Sequence, residues 1–471
     1  MNKEEICFLS ACDIAKKVKT QELTSVEITE AIIERIDKIN PIINAFCIPT
    51  FELAREMAEN ADKIVKKGGD IPLLNGIPTS IKDLMQIAGI KTTYGCKFYE
   101  NFVSERDETT VNRLRKAGAV FLGKTNTPAY GHIAVTDNMI FGTTLNPWNL
   151  ERTSGGSSGG AGAAVASGLG PLALGSDGGG SIRIPACFCG VFGLKPSFGM
   201  VPRDLHGTIG WATLDHYGPI VRYVKDAALM LDSIKGPDES DRYTLPKRQI
   251  SYLNQIEDFP KKLRVGYSLK LGFVKAIDPE VEKSVLNAAQ KFEEYEWIVE
   301  EAKIKIKKPE LAFNTIVTAG FGYDLQSFLK EREKLDGTLV KMIEAGVTYS
   351  ALDLKRAEAQ REDIFNVVSK HFDNFDILIT PSTAVPAFGL GMMFPPTIAG
   401  KGVSPVAWMS YTYPFNMTGN PAASIPCGWS SEGLPIGMQI IGRRFDDLTV
   451  LQVSKAFEDK APWQDKKPKL T

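Results

Sequence analysis

This sequence of 471 residues has no excess of positive or negative charge, because it contains 55 lysines and arginines and 56 aspartates and glutamates. A nucleic-acid partner or an anionic membrane usually selects a basic protein surface, so neither partner is expected. The sequence has no stretch of about 20 predominantly apolar residues, and a membrane-spanning helix is not predicted. With 43% hydrophobic and 24% charged residues, the composition is that of a globular protein.

Cysteine and histidine are scarce as well, with seven and four residues. The cysteines are scattered and include no C-x-x-C pair, which argues against a disulfide framework or a zinc site. This usage, together with a beginning that does not resemble a signal peptide, favours a cytoplasmic protein. So few histidines also leave lysine as an alternative for any catalytic base.

Short apolar segments typical of strands alternate with helical patterns along most of the chain. The predicted strands are residues 76–82, 119–122, 263–267, 297–299, 375–379, 422–425 and 434–441. The predicted helices include residues 51–67, 110–116, 224–234, 279–295 and 446–458, and a further helix that follows a capping box at residues 24–27. This alternation predicts an α/β fold with a largely buried sheet. The charged, mainly helical residues 240–372 are a candidate lid or subdomain over a more compact core at about 70–235.

The centre of the chain is poor in charge and rich in glycine. Between Arg152 and Lys195 the only charged residues are Asp177 and Arg183, and eleven glycines fall within residues 154–180. A flexible Gly/Ser linker has a similar composition, but the apolar segments 161–166 and 171–174 do not fit one. The stretch is therefore predicted to be a buried centre in which backbone segments approach closely.

Residues 118–125 match the P-loop pattern letter for letter, but their context argues against a phosphate-binding loop. A P-loop follows a strand and opens a helix, so that its backbone amides are free to bind phosphate. Here a helical pattern precedes the motif, and the four middle residues themselves form an apolar strand. The match is attributed to chance.

Residues 155–159 match the G-x-S-x-G nucleophile elbow, in which a serine lies on a sharp turn between a strand and a helix. The preceding residues 146–152 do not resemble a strand, and the elbow needs a histidine later in the chain. The downstream histidines lie in no recognisable catalytic context; they are His206, His216 and His371. The elbow is kept as a minor alternative.

A stronger candidate nucleophile is Ser181, which follows the glycines Gly178, Gly179 and Gly180. Consecutive backbone amides without side chains can turn toward one point, which is what an oxyanion hole requires. On local sequence alone, a tight turn capped by a serine is an equally good interpretation.

Lys82 is the candidate base for such a serine. It ends a predicted core strand, and the preceding residues 71–81 carry no charge. Adjacent strand residues point to opposite faces of a sheet, which disfavours a simple pair between Lys82 and Asp83. Taken by itself, Lys82 is better explained as an ordinary lysine whose ammonium group reaches solvent from a strand end.

Together these segments resemble the amidase signature family over nearly the whole chain. The central block is its most specific part, because both order and spacing of the motifs agree there. The matching residues are 76–83, 123–126, 141–142, 146–148, 155–160, 175–177, 179–185, 193–196, 421–426 and 434–437.

The resemblance implies one α/β/α domain, residues 1–471, around a mixed and mostly buried sheet, and a Ser–cis-Ser–Lys triad. Carried over to this sequence, Ser181 is the nucleophile that forms an acyl-enzyme. Ser157 bridges Ser181 to the base Lys82, and a cis peptide bond is expected between Gly156 and Ser157. No metal or organic cofactor is implied.

The same resemblance assigns supporting roles around the triad. The oxyanion hole is expected from the backbone amides of four consecutive residues, which are Gly178, Gly179, Gly180 and Ser181. Three further residues are expected to support the site, and they are Asp177, Arg183 and Ser158. One departure from the family is Gly178, where threonine or isoleucine is frequent, so a looser but functional loop is expected.

The predicted function is hydrolysis of a carboxamide to a carboxylate and ammonia or an amine, through an acyl-enzyme on Ser181. The substrate is a small-molecule amide, and its acyl group is expected near the segments 130–138 and 300–345. A homodimer is possible.

An alternative is the glutamine-hydrolysing A subunit of a tRNA-dependent amidotransferase. That branch of the family has an aspartate five residues before the proline that matches Pro414, where it binds the amine of glutamine. This sequence has Met409 at that position, which argues against a glutaminase. A non-catalytic amidase-like scaffold is a third alternative, disfavoured because the triad is complete and no repeats are added.

Overall fold

A mixed sheet of eleven strands, packed against helices, organises the molecule. The computed structural model describes residues 1–204, 211–246 and 249–470. The strands are β1 Phe46–Pro49, β2 Pro78–Lys82, β3 Val120–Thr125, β4 Leu145–Asn146, β5 Asn149–Thr153, β6 Leu172–Ser176, β7 Phe192–Lys195, β8 Tyr217–Val221, β9 Arg264–Tyr267, β10 Ile298–Glu301, β11 Ile377–Pro381, β12 Thr397–Ile398, β13 Lys401–Gly402, β14 Ala422–Trp429 and β15 Pro435–Gly442. The strand order across the large sheet is β1-β3-β2-β6-β8-β7-β14-β15-β11-β9-β10.

Helices connect most of these strands, as the alternating sequence pattern predicts. The α-helices are α1 Lys3–Cys7, α2 Ala11–Lys19, α3 Ser25–Ile43, α4 Phe51–Lys67, α5 Thr109–Lys116, α6 Gly159–Ala166, α7 Arg183–Cys189, α8 Val224–Ile234, α9 Tyr252–Gln255, α10 Pro279–Gln290, α11 Pro309–Leu325, α12 Gly337–Gly346, α13 Ala351–His371, α14 Tyr413–Thr418 and α15 Asp447–Lys460. Within the described ranges, no helix has both the length and the apolar character needed to cross a bilayer.

The α/β prediction is confirmed, and several boundaries agree with it. Helices α4 and α8 have the predicted bounds, and α3 begins at the predicted capping box, in which Thr24 and Glu27 bond reciprocally. The sheet is mixed because β2 lies parallel to both β3 and β6, whereas β8, β7, β14 and β15 pair with their neighbours in antiparallel fashion.

One local prediction is wrong, because residues 146–152 do contribute a strand. Strands β4 and β5 form an antiparallel hairpin in which Asn146 is paired with Asn149. The Asn146 side chain holds this turn, since it accepts a hydrogen bond from the Trp148 amide at 2.9 Å and donates to the Thr153 carbonyl at 3.0 Å. Side-chain bonds of this kind depend on the fold, and strand propensity does not report them.

Helix α6 explains the glycine-rich composition of the centre. It contains only glycine, alanine and one valine, and every residue of it is buried. A Cβ atom at Gly160 would lie 2.4 Å from the Asn126 amide nitrogen and 2.5 Å from the Ala45 carbonyl oxygen. Only glycine allows backbones to approach this closely, so the prediction of a buried, tightly packed centre is confirmed.

The topology brings two strand ends together at this centre. Because β2 and β6 are parallel neighbours, their carboxyl ends meet at the same edge of the sheet. Lys82 ends β2 and Ser176 ends β6, and the loop that contains Asp177 and Ser181 follows directly.

Candidate active site

Lys82 lies completely buried at the end of β2, with two serine hydroxyls as its partners. Its Nζ atom is 2.6 Å from Oγ of Ser157 and 2.9 Å from Oγ of Ser176. Within the part of the chain that the structure describes, no carboxylate lies within ion-pair distance of this ammonium group. A lysine in this setting is available for proton transfer rather than for a structural ion pair.

Burial changes the protonation behaviour of this lysine. Removal from water disfavours the charged form and lowers the pKa of Lys82 from 10.5 to about 7, although the negative charges of Asp215 and Asp177 act in the opposite direction. A substantial fraction of Lys82 is therefore neutral near pH 7, and a neutral amine can accept a proton.

Asp83 faces the other side of β2 and takes a different partner, as strand alternation predicts. Its carboxylate lies 2.9 Å from Nζ of Lys124, and it accepts hydrogen bonds from the amide and hydroxyl of Thr93. This ion pair is fully buried and joins β2 to β3. The charge of Asp83 is thereby neutralised away from Lys82.

Ser157 follows a cis peptide bond from Gly156, as expected from the family resemblance. A Cβ atom at Gly156 would lie 2.6 Å from the amide nitrogen of Val135, so the backbone of the segment around Val135 fills the space of a side chain. Ser157 is 2% exposed, and its hydroxyl therefore meets Lys82 away from bulk water.

Ser158 connects the two serine-bearing loops. Its amide donates to the carbonyl oxygen of Ser181 at 3.1 Å, and its hydroxyl donates to the carbonyl oxygen of Ser176 at 3.2 Å. Ser158 is also the residue before α6, so the start of that helix, the end of β6 and the Ser181 loop are fixed relative to one another.

Three different neighbours enclose the glycines that precede Ser181. A Cβ atom at Gly178 would lie 2.4 Å from the ring of Trp211, and one at Gly179 would lie 2.6 Å from the ring of Phe313. Gly180 has φ +132°, and a Cβ there would lie 2.5 Å from Oγ1 of Thr412. The expectation of a looser loop at Gly178 therefore finds no support, because Trp211 occupies the space of the missing side chain.

A buried ion pair between Asp177 and Arg183 fixes the loop that carries Ser181. Nε and Nη2 of Arg183 lie 2.9 and 2.8 Å from the carboxylate of Asp177, and both side chains are inaccessible to solvent. Burial alone raises the pKa of Asp177, but the charge and hydrogen bonds of Arg183 outweigh it and hold that pKa well below its usual range. Asp177 therefore stays ionised and keeps its loop contacts at any ordinary pH.

The amide of Gly180 does not point toward a substrate, contrary to its expected place in the oxyanion hole. Its amide donates to Oδ1 of Asp177 at 2.7 Å, so it faces the ion pair instead of a substrate. Among hydrogen bonds between described residues, none uses the amides of Gly178, Gly179 or Ser181. The sequence could not show which of these four amides points away from a substrate. The direction of each amide depends on the backbone angles of the loop and on the position of the Asp177 carboxylate.

None of the histidines that the structure describes bonds to Ser157, as the nucleophile elbow would require. The ring of His216 bonds to the carbonyl oxygens of Asp177 and Leu214, and His371 stacks on Phe375. His206 lies outside the described residues. The basic side chain that contacts Ser157 is that of Lys82.

An apolar cavity of about 310 Å³ opens beside Ser181. Both segments expected to hold the acyl group contribute to its wall, and so does Met409. The lining includes Gly131, His132, Ile133, Ala134, Gly179, Ser181, Trp211, Phe313, Asn314, Val317, Thr338, Met342, Met393, Phe394, Trp408 and Met409. Apolar side chains make up most of this list, among them four tryptophan and phenylalanine rings and three thioethers, which fits a neutral, apolar group.

Sequence reasoning missed several residues of this site. Ser176 lies within a motif that resembles the family, but the sequence assigns it no role. Only the structure shows that its hydroxyl contacts Nζ of Lys82. Trp211 gave no signal at all, because its contact with Gly178 arises between segments 33 residues apart.

Comparison with known proteins places the chain in a family. The family described as Amidase matches residues 27–451. An acylamidase of Rhodococcus erythropolis is 39% identical over 99% of this chain and 98% of its own length. The A subunit of a glutamyl-tRNA(Gln) amidotransferase from Carboxydothermus hydrogenoformans is 36% identical over 99% of this chain and 100% of its own.

A solved structure agrees with these relatives. A bacterial aryl acylamidase of the amidase signature family superposes with a TM-score of 0.91 at 31% identity, covering 97% of each chain. The chain therefore belongs to the amidase signature family. The predicted class of enzyme, a hydrolase that acts on amide carbon–nitrogen bonds, is confirmed by these relatives.

Gly180 offers a direct test of the loop geometry. We expect Gly180→Ala to lower amide turnover by roughly 10²- to 10³-fold, as loss of one oxyanion donor would. Because φ +132° and Thr412 leave no room for a methyl group, the neighbouring amides of Gly179 and Ser181 must shift. Gly402→Ala is the control, since Gly402 is exposed with nothing near its missing Cβ. Full turnover in Gly180→Ala would contradict the described loop.

Proposed function

We propose that this chain hydrolyses carboxamides through an acyl-enzyme on Ser181, with Ser157 and Lys82 as a proton relay. The observation that carries the proposal is the 2.6 Å contact between Nζ of Lys82 and Oγ of Ser157 in a buried, charge-poor site. The backbone bond between Ser158 and Ser181 supports it, because it keeps the two serine loops together.

In the first half-reaction, neutral Lys82 accepts a proton from Ser157 while Ser157 accepts one from Ser181. Oγ of Ser181 attacks the amide carbon, and the negative charge develops on the former carbonyl oxygen. We propose that amides of Gly178, Gly179 and Ser181 donate to that oxygen, without Gly180. The relay then runs in reverse, so that the nitrogen leaves as ammonia or an amine, and the acyl ester on Ser181 remains.

In the second half-reaction, water replaces the amine. Lys82 and Ser157 take a proton from the water as it attacks the ester carbon, and Oγ of Ser181 is the leaving group. A carboxylate and the free enzyme result. We propose that Asp177 and Arg183 act only by holding the loop, because the two side chains are buried and paired with each other.

The cavity beside Ser181 suggests the class of acyl group. We propose a neutral acyl group with an aryl or alkyl portion, because its burial against Phe313, Trp408 and Met342 is favourable by roughly 25 cal/mol per Å². We also propose that the chain functions as one domain in which α11 and α12, from the predicted lid region, cover this cavity.

The A subunit of an amidotransferase remains the second candidate, since several such proteins are relatives of this chain. Met409 argues against it, because its side chain lies in the wall of the cavity and is 9% exposed. A thioether there offers no charge to pair with the α-ammonium group of glutamine. We therefore propose that the enzyme acts without a partner subunit.

Ser181 should carry the acyl group. We expect Ser181→Ala to lose turnover by several orders of magnitude with an unchanged circular dichroism spectrum, because alanine has no hydroxyl to form the ester. A serine-directed fluorophosphonate should label Ser181, and added hydroxylamine should divert product to a hydroxamate. Labelling of Ser157 or Ser158 instead would favour the nucleophile elbow.

The proposed base makes turnover depend on pH in a defined direction. Lys82 acts only when neutral, so kcat should rise as the pH passes through about 7 and stay high in mildly alkaline solution. Lys82→Ala should lower kcat by roughly 10²- to 10⁴-fold and remove this ionisation. Lys82→Arg is the matched control and should not restore activity, because a guanidinium group stays protonated.

Near-normal turnover in Lys82→Ala would refute this role, whatever the result at Ser181. An unchanged pH profile in that variant would do the same.

Met409 separates the two candidate functions. The purified chain alone should release amine from an apolar anilide far faster than ammonia from glutamine. Met409→Asp should shift this preference toward glutamine by about tenfold or more, because a partly buried carboxylate pairs with its ammonium group. Met409→Asn controls for size without charge. Glutamine as the best substrate of the unmodified chain, only with a co-purifying subunit, would support the amidotransferase instead.

A further inference from the structure

Trp408 lies in the wall of the cavity beside Ser181, and it is 1% exposed. Its ring stacks on Phe188 with 5.7 Å between the ring centroids, and it meets the ring of Phe388 edge-on at 5.0 Å. The carbonyl oxygen of Trp408 accepts a hydrogen bond from the amide of Ala384 at 2.8 Å. Both the backbone and the ring are therefore held, and the indole has a fixed orientation.

The indole N–H of Trp408 donates to none of the residues that the structure describes. An indole carries its one polar hydrogen on Nε1, so the identity of the donor does not depend on a choice of protonation. Three other tryptophans donate this hydrogen to a backbone carbonyl 2.7 to 3.3 Å away, and they are Trp148, Trp211 and Trp297. Buried tryptophans usually have such a partner, so the exception requires a physical explanation.

This N–H meets open space. Nε1 of Trp463 also lacks a partner, but that atom is enclosed by the protein. Nε1 of Trp408 is not one of the enclosed atoms without a partner, so part of its surface is open. The open space that Trp408 lines is the cavity of about 310 Å³ beside Ser181. A hydrogen-bond donor is therefore available to a molecule in that cavity.

The other polar side chains of this wall, apart from the proposed nucleophile, have partners or reach solvent. Both ring nitrogens of His132 lie within 2.8 Å of a hydrogen-bonding group, one of which is the hydroxyl of Thr338. Nε1 of Trp211 donates to the carbonyl oxygen of Tyr130 at 3.3 Å. Asn314 is only half-buried, so solvent satisfies its amide. Trp408 is thus the buried donor of the wall that is free to bind a ligand.

A carbonyl oxygen is the acceptor that suits this donor. No lysine or arginine of the described chain lies in the cavity wall, so a carboxylate would be buried there without a counter-charge. A hydroxyl or amine would bring a proton that needs an acceptor of its own, whereas a carbonyl only accepts. The wall therefore favours a neutral group whose one polar atom is a carbonyl oxygen.

We propose that Trp408 is a specificity-determining residue, whose indole N–H binds a carbonyl oxygen carried by the apolar portion of the acyl group. The inference rests on the proposed hydrolysis through Ser181 and narrows its substrate class. The preferred acyl group has an aryl or alkyl body with a ketone, ester or amide carbonyl some distance from the bond that is cleaved.

The preference arises from the hydration of this N–H. Water hydrates the donor when the cavity is open to solvent, and an acyl group that enters displaces that water. A carbonyl oxygen replaces the lost hydrogen bond, whereas a hydrocarbon group leaves the donor buried without a partner. One neutral hydrogen bond of this kind corresponds to about a tenfold difference between the two acyl groups.

The test compares p-nitroanilides that share a phenylpropionyl body. The phenyl ring carries either an acetyl group or the isosteric isopropenyl group, at the para or the meta position. In the unmodified enzyme, kcat/KM should favour acetyl over isopropenyl by about tenfold at one ring position or both. Since the leaving group and the pH are the same, the protonation of Lys82 cancels in this ratio.

Removal of the N–H without a change of shape tests the assignment directly. Site-specific replacement of Trp408 by benzothienylalanine puts a sulfur atom in place of the N–H group and should bring the ratio to about one. Trp408→Phe, which also lacks the donor, should give the same ratio. The matched control is benzothienylalanine at Trp211, whose N–H already has the Tyr130 carbonyl as its acceptor. Any loss of turnover in that control should affect both anilides equally.

Two results would overturn the role of Trp408. One is a ratio near one in the unmodified enzyme at both ring positions. The other is a preference for acetyl that survives loss of the Trp408 N–H, and its disappearance in Asn314→Leu would then assign the donor to Asn314.

Calorimetric binding to Ser181→Ala separates this inference from the proposed function, because it reports the contact without hydrolysis. The acetyl anilide should bind about tenfold more tightly than the isopropenyl anilide, and Trp408→Phe in the same background should abolish the difference. Equal Kd values in Ser181→Ala would overturn the role of Trp408 whether or not turnover is found. Absence of turnover together with the expected Kd ratio would count against the proposed hydrolysis alone.

Discussion

Burial of one ammonium group without a carboxylate partner is the constraint on which the site depends. Lys82 reaches the middle of the molecule at the end of β2, where two serine hydroxyls are its hydrogen-bond partners. Water must be kept out for its pKa to fall to about 7, and the wholly buried helix α6 packs against β2, the strand that Lys82 ends. The glycine-rich sequence and the basicity of Lys82 are thus two aspects of one requirement.

Two other buried cations show the contrast. Lys124 is paired with Asp83, and Arg183 is paired with Asp177, each within 3 Å. Those pairs fix β2 against β3 and the Ser181 loop against its surroundings, and breaking either would leave an uncompensated charge. Since the sheet places Lys82 and Asp83 on opposite faces, adjacent residues have different partners: Lys82 contacts two serine hydroxyls, and Asp83 forms an ion pair with Lys124.

Sequence predicts what depends on periodicity and on motifs. The bounds of α4 and α8, the α/β class and the opposite directions of Lys82 and Asp83 all followed from local patterns. The hairpin of β4 and β5, the amide of Gly180 and the contact of His132 with Thr338 did not. Each depends on a side chain or torsion that the tertiary structure sets, and His132 and Thr338 are 206 residues apart.

Membership of the amidase signature family does not identify the substrate of this chain. An acylamidase and an amidotransferase subunit are 39% and 36% identical to this chain over nearly its full length, so overall identity hardly separates them. Backbone and motif residues build the serine and lysine site, whereas the cavity wall consists of side chains from α11, α12 and residues 393–409. A single exchange such as Met409 for a carboxylate alters the charge that an acyl group meets and leaves the sheet intact. The side chains that set the shape and charge of the cavity therefore lie in its wall, and the contacts between Lys82 and the serines lie at the strand ends behind it.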